Sequence, residues 1–513
     1  MFSTSIKLKP TNTWLFLLFL LCGICTQAQI QQSARYEVPL TDLEDEHFKV
    51  ISAEDQGLII YRRLTGRKED QIELVRVDTA LHEVWRGYIQ IDPNVALIQS
   101  QVRHNIFFIL FKNRNYAVGD FQIVAVQVKN GNYGSYTVKN LIPFNPTEFV
   151  LTNDAAMIGG YYNYRPLILH YSFTKQQSKI LPGFFNEPGE LTQIKTYEDG
   201  TIEVIVSAKN YERRKCLWIR NYDAAGSLIK TTILQPEEKK NLIFGRSVKT
   251  SDGTQIVSGV YGRQSEYSRG VFIAAINEFG EYKINYYNFA DLQRFFNYMK
   301  AKREKRVRER IERRRVLGKK LRFNYRILVH ELVPYGNQYI LLGEAFYPHY
   351  TYPNRAYYQS SLAPSFYMNP LVRSDLVFDG FQYTHAVVIG FDRSGKLLWD
   401  NSFEINDVKA MTLDQYVKIE TQPNRIVLLY LFENTIRTKI ISNSQVLEGK
   451  VFNDMEMKFS DDIVKHRDTE TSHLDYWYQD NFFAYGVQRV HNLHEASVGT
   501  YRKVFFINKI SYK

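Results

Sequence analysis

Short apolar runs separated by polar turns recur along the chain, and the clearest example is His385–Phe403, HAVVIGFDRSGKLLWDNSF. The runs before and after its turn both predict β-strands. Between them, Asp392 is followed three residues later by Gly395 and seven residues later by Trp399. Asp can bond its own backbone, and Gly accepts a positive φ at which a Cβ would clash, so this segment predicts a β-hairpin.

Copies of this turn, some of them eroded, occur at a regular spacing. Asp223–Gly226 and Asn277–Gly280 repeat it between apolar runs, whereas Asp78 and Trp85 keep the spacing of seven without the glycine. Weaker copies are Asn130–Gly131, Thr174–Ser178 and Ser442–Gln445. The turns fall near residues 78, 131, 175, 223, 277, 392 and 444. Most intervals are therefore about fifty residues, a little over the usual length of a four-stranded propeller blade.

This periodicity predicts an all-β fold, a β-propeller of about eight four-stranded blades, with seven as the alternative count. A β-sandwich with chance turns is the competing interpretation, but sandwiches lack such long-range periodicity. Residues 29–513 would then form one domain by radial repetition. We expect Tyr36–Leu40 to supply the outer strand of the last blade and so close the ring with the C-terminus.

Two insertions account for the long interval between the turns at Asn277 and Asp392. The first covers residues 288–323, where Asn288 or Asp291 can cap a helix and Gly318 can end it. We expect one long basic helix over Asp291–Leu317, about 40 Å in length. The apolar side chains expected to dock its first turns are Leu292, Phe295, Phe296 and Met299.

The second insertion, residues 346–383, is rich in Tyr and Pro and has no helical period. It lies inside the sixth blade, so we expect a large loop folded back on one rim of the propeller. Aromatic rings with prolines can form a rigid surface that stacks on sugars or fills a partner's pockets. The alternative is that the rings supply the loop's own small core. The candidate binding residues are Tyr347, Tyr350, Tyr352, Tyr357 and Tyr358.

The run Phe391–Trp399, FDRSGKLLW, resembles the repeat of quinoprotein-like propellers, in which Asp and Gly are followed by Lys and a docking Trp. The resemblance is good in this blade, partial in two or three others and absent elsewhere. It implies membership of the quinoprotein-like or WD40-like β-propeller superfamily and carries no activity with it. Quinone-dependent dehydrogenases of that superfamily typically use a vicinal cysteine disulfide and a calcium site. The mature chain would keep only Cys216, which we expect to be a buried apolar filler in a strand.

Residues 1–28 predict a signal peptide. Lysines precede a short apolar run, Trp14–Cys25, and Thr26–Ala28 offers a small-residue cleavage site. The run is too short to span a membrane as a helix, and no later stretch approaches that length. We therefore predict export to the periplasm or cell envelope. A lipoprotein is the alternative, which Ile24 disfavours because the position before a lipidated cysteine normally takes Gly or Ala.

The basic character of the chain is concentrated in the first insertion. The formal net charge is +11, and residues 300–322 carry thirteen Lys or Arg against three Glu. Such a helix has a strong positive potential, and we expect it to contact an envelope protein complex, a lipid headgroup face or an anionic polysaccharide. Export argues against nucleic acid. The alternative is an arm whose cations are solvated or paired. The candidate binding residues are Lys302, Arg306, Arg310, Arg313 and Arg314.

Signals of catalysis or metal binding are weak. His491 and His494 have a metal-like spacing, but no third ligand is nearby. His330 and His385 lie at the ends of apolar strands and are expected to be core histidines. No phosphate-binding loop, nucleophile elbow or zinc-binding helix motif is present. We therefore predict no catalytic residues, no metal and no cofactor.

These observations predict an exported, non-enzymatic β-propeller that binds proteins or acts as a scaffold in the bacterial cell envelope. The alternative is a carbohydrate-active propeller enzyme or a glycan-binding protein. The enzyme would need a cluster of carboxylates at the mouth of the central channel, and Asp375 and Asp379 are a formal acidic pair in the second insertion. A quinone-dependent oxidoreductase is a third hypothesis.

Overall fold

The strands of the computed structural model pair into eight antiparallel sheets. Seven sheets have four strands, and one has a short fifth strand beside them. The chain is therefore an eight-bladed β-propeller, as the turn spacing predicts. The residues that the structure describes are 30–41, 47–66, 69–114, 119–183, 188–237, 239–250, 252–263, 266–319, 321–351, 377–465, 469–492 and 500–512.

Blades 1 to 4 each contain four consecutive strands, β2–β5, β6–β9, β10–β13 and β14–β17. The N-terminal strand β1 belongs to the last blade. The strands of this half are β1 (Ile30–Leu40), β2 (Lys49–Ser52), β3 (Leu58–Leu64), β4 (Asp70–Val77), β5 (Glu83–Ile91), β6 (Val95–Arg103), β7 (Ile106–Asn113), β8 (Phe121–Gln127), β9 (Tyr133–Val138), β10 (Asn145–Leu151), β11 (Ala155–Tyr162), β12 (Arg165–Ser172), β13 (Gln177–Ile180), β14 (Gly189–Thr196), β15 (Ile202–Lys209), β16 (Lys215–Tyr222) and β17 (Leu228–Leu234).

Blades 5 to 7 contain β18–β21, β22–β25 with the short β26, and β27–β30, and blade 8 contains β31–β33 with β1. The strands of this half are β18 (Asn241–Lys249), β19 (Gln255–Gly262), β20 (Ser268–Ile276), β21 (Tyr282–Asn288), β22 (Arg326–Tyr335), β23 (Gln338–Thr351), β24 (Val377–Asp392), β25 (Leu397–Glu404), β26 (Lys409–Ala410), β27 (Lys418–Gln422), β28 (Arg425–Phe432), β29 (Thr435–Ser442), β30 (Gln445–Asp454), β31 (Thr469–Tyr478), β32 (Asn481–His491) and β33 (Tyr501–Tyr512).

Both ends of the chain build blade 8. Its sheet order is β1-β33-β32-β31, so β1 takes the outermost place that the fourth strand holds in the other blades. Tyr36 lies opposite Ile507, and Pro39 lies opposite Val504. The prediction that Tyr36–Leu40 closes the ring is confirmed, and the strand begins earlier, at Ile30.

The predicted turns each contain a residue with positive φ. The Asp392 carboxylate accepts hydrogen bonds from the main-chain N–H groups of Ser394 and Lys396, both at 2.9 Å, and Gly395 has a φ of +78°. In blade 1, which lacks the glycine, Leu81 takes a φ of +64°. A residue with positive φ also occupies the predicted turns of other blades, at Gly131, Gln176, Gly226, Gly280 and Asn443.

The apolar core lies at the junctions between neighbouring blades. The middle strands β15 and β19 are buried along almost their whole length because each has a blade on both faces. Among the described residues, the buried apolar side chains form eight clusters, one for each junction. At the closing junction between blades 8 and 1, the Trp477 Nε1 donates to the main-chain oxygens of Glu54 and Gly57 at 3.0 and 3.1 Å. Apolar packing therefore holds the ring together at every junction.

Two side chains noted in the sequence are buried as expected. Cys216 is fully buried in β16, and burial raises the pKa of its thiol to about 11. Trp399 in β25 is largely buried, and its Nε1 donates to the Gln338 Oε1 at 2.8 Å. The filler role predicted for Cys216 and the docking role predicted for Trp399 are both consistent with these environments.

The first insertion is only partly helical. Two 3₁₀ turns, Phe289–Asp291 and Phe295–Tyr298, precede the α-helix α1, Ala301–Val316. The prediction of one continuous helix over Asp291–Leu317 is therefore wrong, because α1 has sixteen residues and a length of about 24 Å. The segment before α1 turns repeatedly to place its apolar side chains between blades 5 and 6. Gly318, with a φ of +64°, follows the end of the helix as predicted.

Candidate functional site

Both insertions leave the propeller at the same end of blade 6. Arg326 at the start of β22 pairs with Phe346 of β23, and Phe346 pairs in turn with Tyr383 of β24. The first insertion ends just before Arg326, and the second begins just after Phe346. The register thus places the end of the first insertion beside the start and the end of the second.

The base of the first insertion is built into the propeller. Leu292, Phe295 and Phe296 are buried within the apolar cluster between blades 5 and 6. The Asp400 carboxylate in β25 accepts the main-chain N–H groups of Gln293 and Arg294 at 2.8 and 2.7 Å. The docking face predicted for the insertion is thus confirmed, since Met299 also packs, partly buried, against the same cluster. Packing and two directed hydrogen bonds hold the insertion in place.

The histidine at the start of the apolar run in β24 belongs to this base. The His385 ring stacks on Tyr298 with the centroids 3.7 Å apart, and its Nδ1 lies 3.0 Å from the Thr384 hydroxyl. His385 is fully buried, and burial lowers its pKa to about 3, so the ring stays neutral. His330 is also buried, with its Nε2 at 2.8 Å from a Glu344 carboxylate oxygen. Both are core histidines, as predicted.

Helix α1 has one packed side and one exposed side. Ile311 is buried against the cluster between blades 5 and 6, and Val307 packs beside it. Residues three and four apart share a helix face. The exposed side carries most of the predicted cations: Lys302, Arg306, Arg310, Arg313 and Arg314 are all exposed.

Most cations of the exposed side lack an acidic partner. The ion pairs of α1 join Glu304 to Arg308 and Glu312 to Arg315, both at 2.7 Å. Arg313 donates to the main-chain oxygen of Glu309 at 3.3 Å. Within the described ranges, none of the five candidate cations forms an ion pair. The structure thus brings these predicted residues together as one exposed cationic surface.

The second insertion begins and ends as a long hairpin. Strands β23 and β24 continue past the sheet until Thr351 pairs with Val377. Tyr347 and Tyr350 are about half exposed, at 47% and 51%. Tyr350 packs against Phe378, and Phe378 packs in turn against Phe381, with the centroids of these two phenylalanine rings 5.0 Å apart. Both hypotheses for the rings therefore have support, a small aromatic core and two exposed tyrosines. The other candidates, Tyr352, Tyr357 and Tyr358, lie outside the described residues.

Several charged side chains of the innermost strands are paired with each other. Adjacent blades contact each other through their first strands, which surround the centre of the ring. Glu331 of β22 lies 3.5 Å from the Lys195 amine of β14 and 3.7 Å from Arg246 of β18. Asp475 of β31 lies 3.0 Å from Lys418 of β27. These carboxylates are neutralised by cations, so they do not form the acidic cluster that the enzyme hypothesis needs.

The residues of the weak metal and acid motifs either contact other side chains or lie outside the described residues. Asp379 accepts from the Lys409 amine at 2.8 Å and lies 3.0 Å from the His349 Nδ1, whereas Asp375 lies outside the described residues. The His491 ring packs edge-on against Tyr501, and its predicted companion His494 is likewise not described. In the part of the chain that is described, no three His, Cys, Asp or Glu side chains are grouped to hold a metal ion. No helix of that part is both long and apolar enough to cross a membrane.

Two features of this region had no signal in the sequence. Asp400 follows the docking Trp399 directly, but its role depends on the insertion passing over β25. Arg269 of β20 and Arg322, which follows α1, line the same surface groove, and the charge of Arg322 lowers the pKa of Arg269. Only the folded chain brings these pairs together, because their members belong to different elements.

Comparisons with known proteins find only distant structural likenesses. No family model and no curated protein matches the chain. The chain is similar to the dihydro-heme d1 dehydrogenase NirN, with 10% identity over 94% of this chain and 79% of that one and a TM-score of 0.42. It is similar to the β-propeller domain of the Trilobed protease from Pyrococcus furiosus, with 9% identity over 80% and 97% and a TM-score of 0.36. It is also similar to a prolyl endopeptidase, with 10% identity over 80% of this chain and a TM-score of 0.36. This chain spans 50% of the length of that protein.

Proposed function

We propose that this protein is an exported, non-catalytic β-propeller that binds an acidic partner in the cell envelope through the exposed side of α1. The observation that carries this proposal is the row of unpaired cations at Lys302, Arg306, Arg310 and Arg313 on a helix whose other side is packed into the propeller. Export rests on the predicted signal peptide in residues 1–28, and sequencing of the mature N-terminus should then begin at Gln29.

The rigid attachment of α1 makes it suitable for binding. Cations four residues apart in a helix are separated by about 6 Å along the axis, so they repel one another. Such a row lowers stability slightly, and an acidic partner would relieve the repulsion. Because the buried Phe295 and the Asp400 hydrogen bonds hold the insertion in place, little conformational entropy is lost on binding. The helix therefore supports a docking role better than the role of a solvated arm.

The test compares two variants with the same change in charge. The first replaces Lys302, Arg306, Arg310 and Arg313 by Gln. The control replaces four exposed cations elsewhere on the propeller by Gln, namely Lys129, Lys209, Arg213 and Lys283. Binding of the full mature chain to poly-glutamate, to polygalacturonate and to proteins of envelope extracts is measured at low and at physiological salt.

The α1 variant should lose at least tenfold in affinity for the better of the two polyanions and should no longer retain the envelope partner. The control variant should bind like the unchanged protein. Binding should weaken with salt because exposed charges are screened over about 8 Å at physiological ionic strength. The proposal is wrong when both variants bind equally, since net charge alone would then explain the interaction. The stronger polyanion distinguishes an acidic protein from an anionic polysaccharide.

A glycan-binding role is the second candidate, and the exposed rings of Tyr347 and Tyr350 favour it. Exposed aromatic faces stack on sugar rings. Replacing both tyrosines by Ala should then abolish retention on a neutral envelope glycan without affecting poly-glutamate binding. Unchanged retention would leave the rings with a structural role only.

A further inference from the structure

A groove of about 750 Å³ lies between the C-terminal part of α1 and blade 5. Tyr261 of β19, Tyr286 of β21 and Ile311 of α1 are among the residues that line it, and we call their apolar surface the floor of the groove. Leu321, in the segment that returns from the helix to blade 6, also lines it. Ile311 marks the packed side of α1, so the groove is distinct from the exposed cationic side described above.

The groove carries an excess of positive charge. Its lining includes six basic residues and two acidic ones, a difference of +4. Both acids are already engaged: Glu237 pairs with Lys240, and Asp291 accepts the main-chain N–H of Asn288 at 3.1 Å. The basic residues of the lining are Lys239, Lys240, Arg269, Arg315, Lys319 and Arg322.

Most of these cations have no acid to bind. Lys240 pairs with Glu237, and Arg315 pairs with Glu312 at the outer edge of the helix. Among the residues that the structure describes, no carboxylate pairs with the remaining four cations of the lining. Proteins generally avoid such groups of unpaired cations, because like charges in a partly enclosed space repel each other.

Arg269 shows this repulsion most directly. It is half-buried in β20, whereas Arg322 is exposed. Burial is the largest cause that lowers the pKa of the Arg269 guanidinium, and the charges of Arg322 and Arg263 lower it further. A guanidinium remains charged throughout the physiological range, so the repulsion persists in the folded protein. A bound anion would remove it.

The floor of the groove suits a ligand with more than a bare charge. Ile311 and Leu321 provide apolar surface, and the Tyr286 ring lies under the Lys240 amine at 4.2 Å. Tyr261 packs edge-on against Tyr286, with the centroids 5.1 Å apart. A small carbon skeleton could therefore rest on the floor while its charged group meets the basic rim.

We propose that this groove binds a phosphomonoester, with Arg269, Lys319 and Arg322 receiving the phosphate group and the floor of the groove receiving the body that carries it. Guanidinium groups bind phosphate oxygens in pairs of parallel hydrogen bonds. A phosphate dianion offers three terminal oxygens to several cations at once, whereas a carboxylate offers two oxygens and one charge. The number of unpaired cations in the groove therefore favours phosphate.

The test measures binding of inorganic phosphate, glycerol 3-phosphate and acetate to the full mature chain by calorimetry at low salt. Phosphatidylcholine vesicles with and without phosphatidic acid test whether a lipid headgroup is the source of the phosphate. The groove variant is Arg269→Gln with Arg322→Gln. Its matched control is Lys209→Gln with Arg213→Gln, which makes the same change in charge at exposed positions of blade 4. Lys319→Gln, at an exposed position, serves if the groove variant misfolds.

Glycerol 3-phosphate should bind saturably with one site per chain and more tightly than acetate. The groove variant should weaken this binding by at least about tenfold, since hydrogen bonds to charged groups are lost. Lys319→Gln should weaken it severalfold, and the control should leave it within twofold. Vesicle binding that requires phosphatidic acid and Arg269 would assign the phosphate to a lipid. The proposal would be overturned if glycerol 3-phosphate did not bind saturably or if acetate bound equally well. It would also be overturned if the groove variant and the control lost the same affinity. Because the exposed-side substitutions leave the groove intact, this site and the docking role of α1 can fail separately.

Discussion

Asp400 fastens the basic insertion to blade 6, and replacing it by Ala should loosen that insertion locally. Its side chain is almost fully buried, and its two oxygens receive the N–H groups of Gln293 and Arg294 at 2.8 and 2.7 Å. The Ser402 hydroxyl donates to the main-chain oxygen of Arg294 at 2.9 Å. Strand β25 therefore binds both the main-chain N–H and the main-chain oxygen of Arg294. The Asp400→Ala variant removes the carboxylate and leaves two N–H groups without their acceptor.

The expected loss follows from the cost of those two groups. A buried donor that loses its acceptor costs about 1–3 kcal/mol, and the relief of burying a carboxylate offsets part of the sum. We expect a net local loss of roughly 2–4 kcal/mol. Since about 1.4 kcal/mol corresponds to a factor of ten, amide exchange in a peptide covering Gln293–Met299 should accelerate by about 30-fold to about 1,000-fold. Hydrogen–deuterium exchange read by mass spectrometry measures this directly.

The control is Asp461→Ala, which removes an exposed carboxylate from the segment before blade 8. It should leave exchange in the insertion unchanged. The Asp400→Ala variant should also weaken binding at α1, because a loosened helix loses more entropy when it docks. The reasoning would be refuted if exchange in Gln293–Met299 stayed within threefold of the unchanged protein. The apolar side chains alone would then hold the insertion.

Two further predictions concern single positions of the propeller. Gly395→Ala places a Cβ on a residue with a φ of +78°, about 3.0 Å from the Asn285 amide nitrogen. It should lower the free energy of unfolding, measured by urea titration, by about 1–2 kcal/mol. The control Gly449→Ala, whose Cβ would meet open space, should leave that free energy nearly unchanged. Equal effects would contradict the turn argument. Burial, and secondarily Asp480, raises the pKa of Glu420 to about 7, so its contribution to stability is present below the usual carboxyl pKa and is lost as the pH rises towards 7. Between pH 5 and pH 8, the free energy of unfolding of Glu420→Gln should therefore rise by about 1 kcal/mol relative to that of the unchanged protein, after a discount for solvent screening. A pH-independent difference would contradict this.

Local patterns specify the blades well. In the turn at Asp392 the carboxylate binds N–H groups two and four residues on, and Gly395 supplies the positive φ, so four or five consecutive residues suffice. The spacing of such turns predicts the number of blades, and the apolar run at Tyr36–Leu40 predicts how the ring closes. The same holds for the common face that the cations of α1 share, since residues three and four apart in a helix lie on one side of it.

Contacts between distant segments could not be predicted in this way. The helical pattern from Asp291 onward is interrupted because the buried Phe295 must enter a gap between two blades and because Asp400 captures the backbone beside it. Likewise, Lys195 and Glu331 lie 136 positions apart and meet only because their strands surround the same centre.

The amino-acid sequence was therefore enough to predict the repeat, a count of about eight blades, the closing strand and the place of the basic insertion. Each depends on hydrogen bonds and apolar periodicity within a short run of residues. The folded structure was needed to show where α1 begins, which of its cations lack an acidic partner, and that Arg269 and Arg322 line the same groove. Those outcomes depend on which side chains the closed ring brings together, and no local pattern encodes the distances between separate blades.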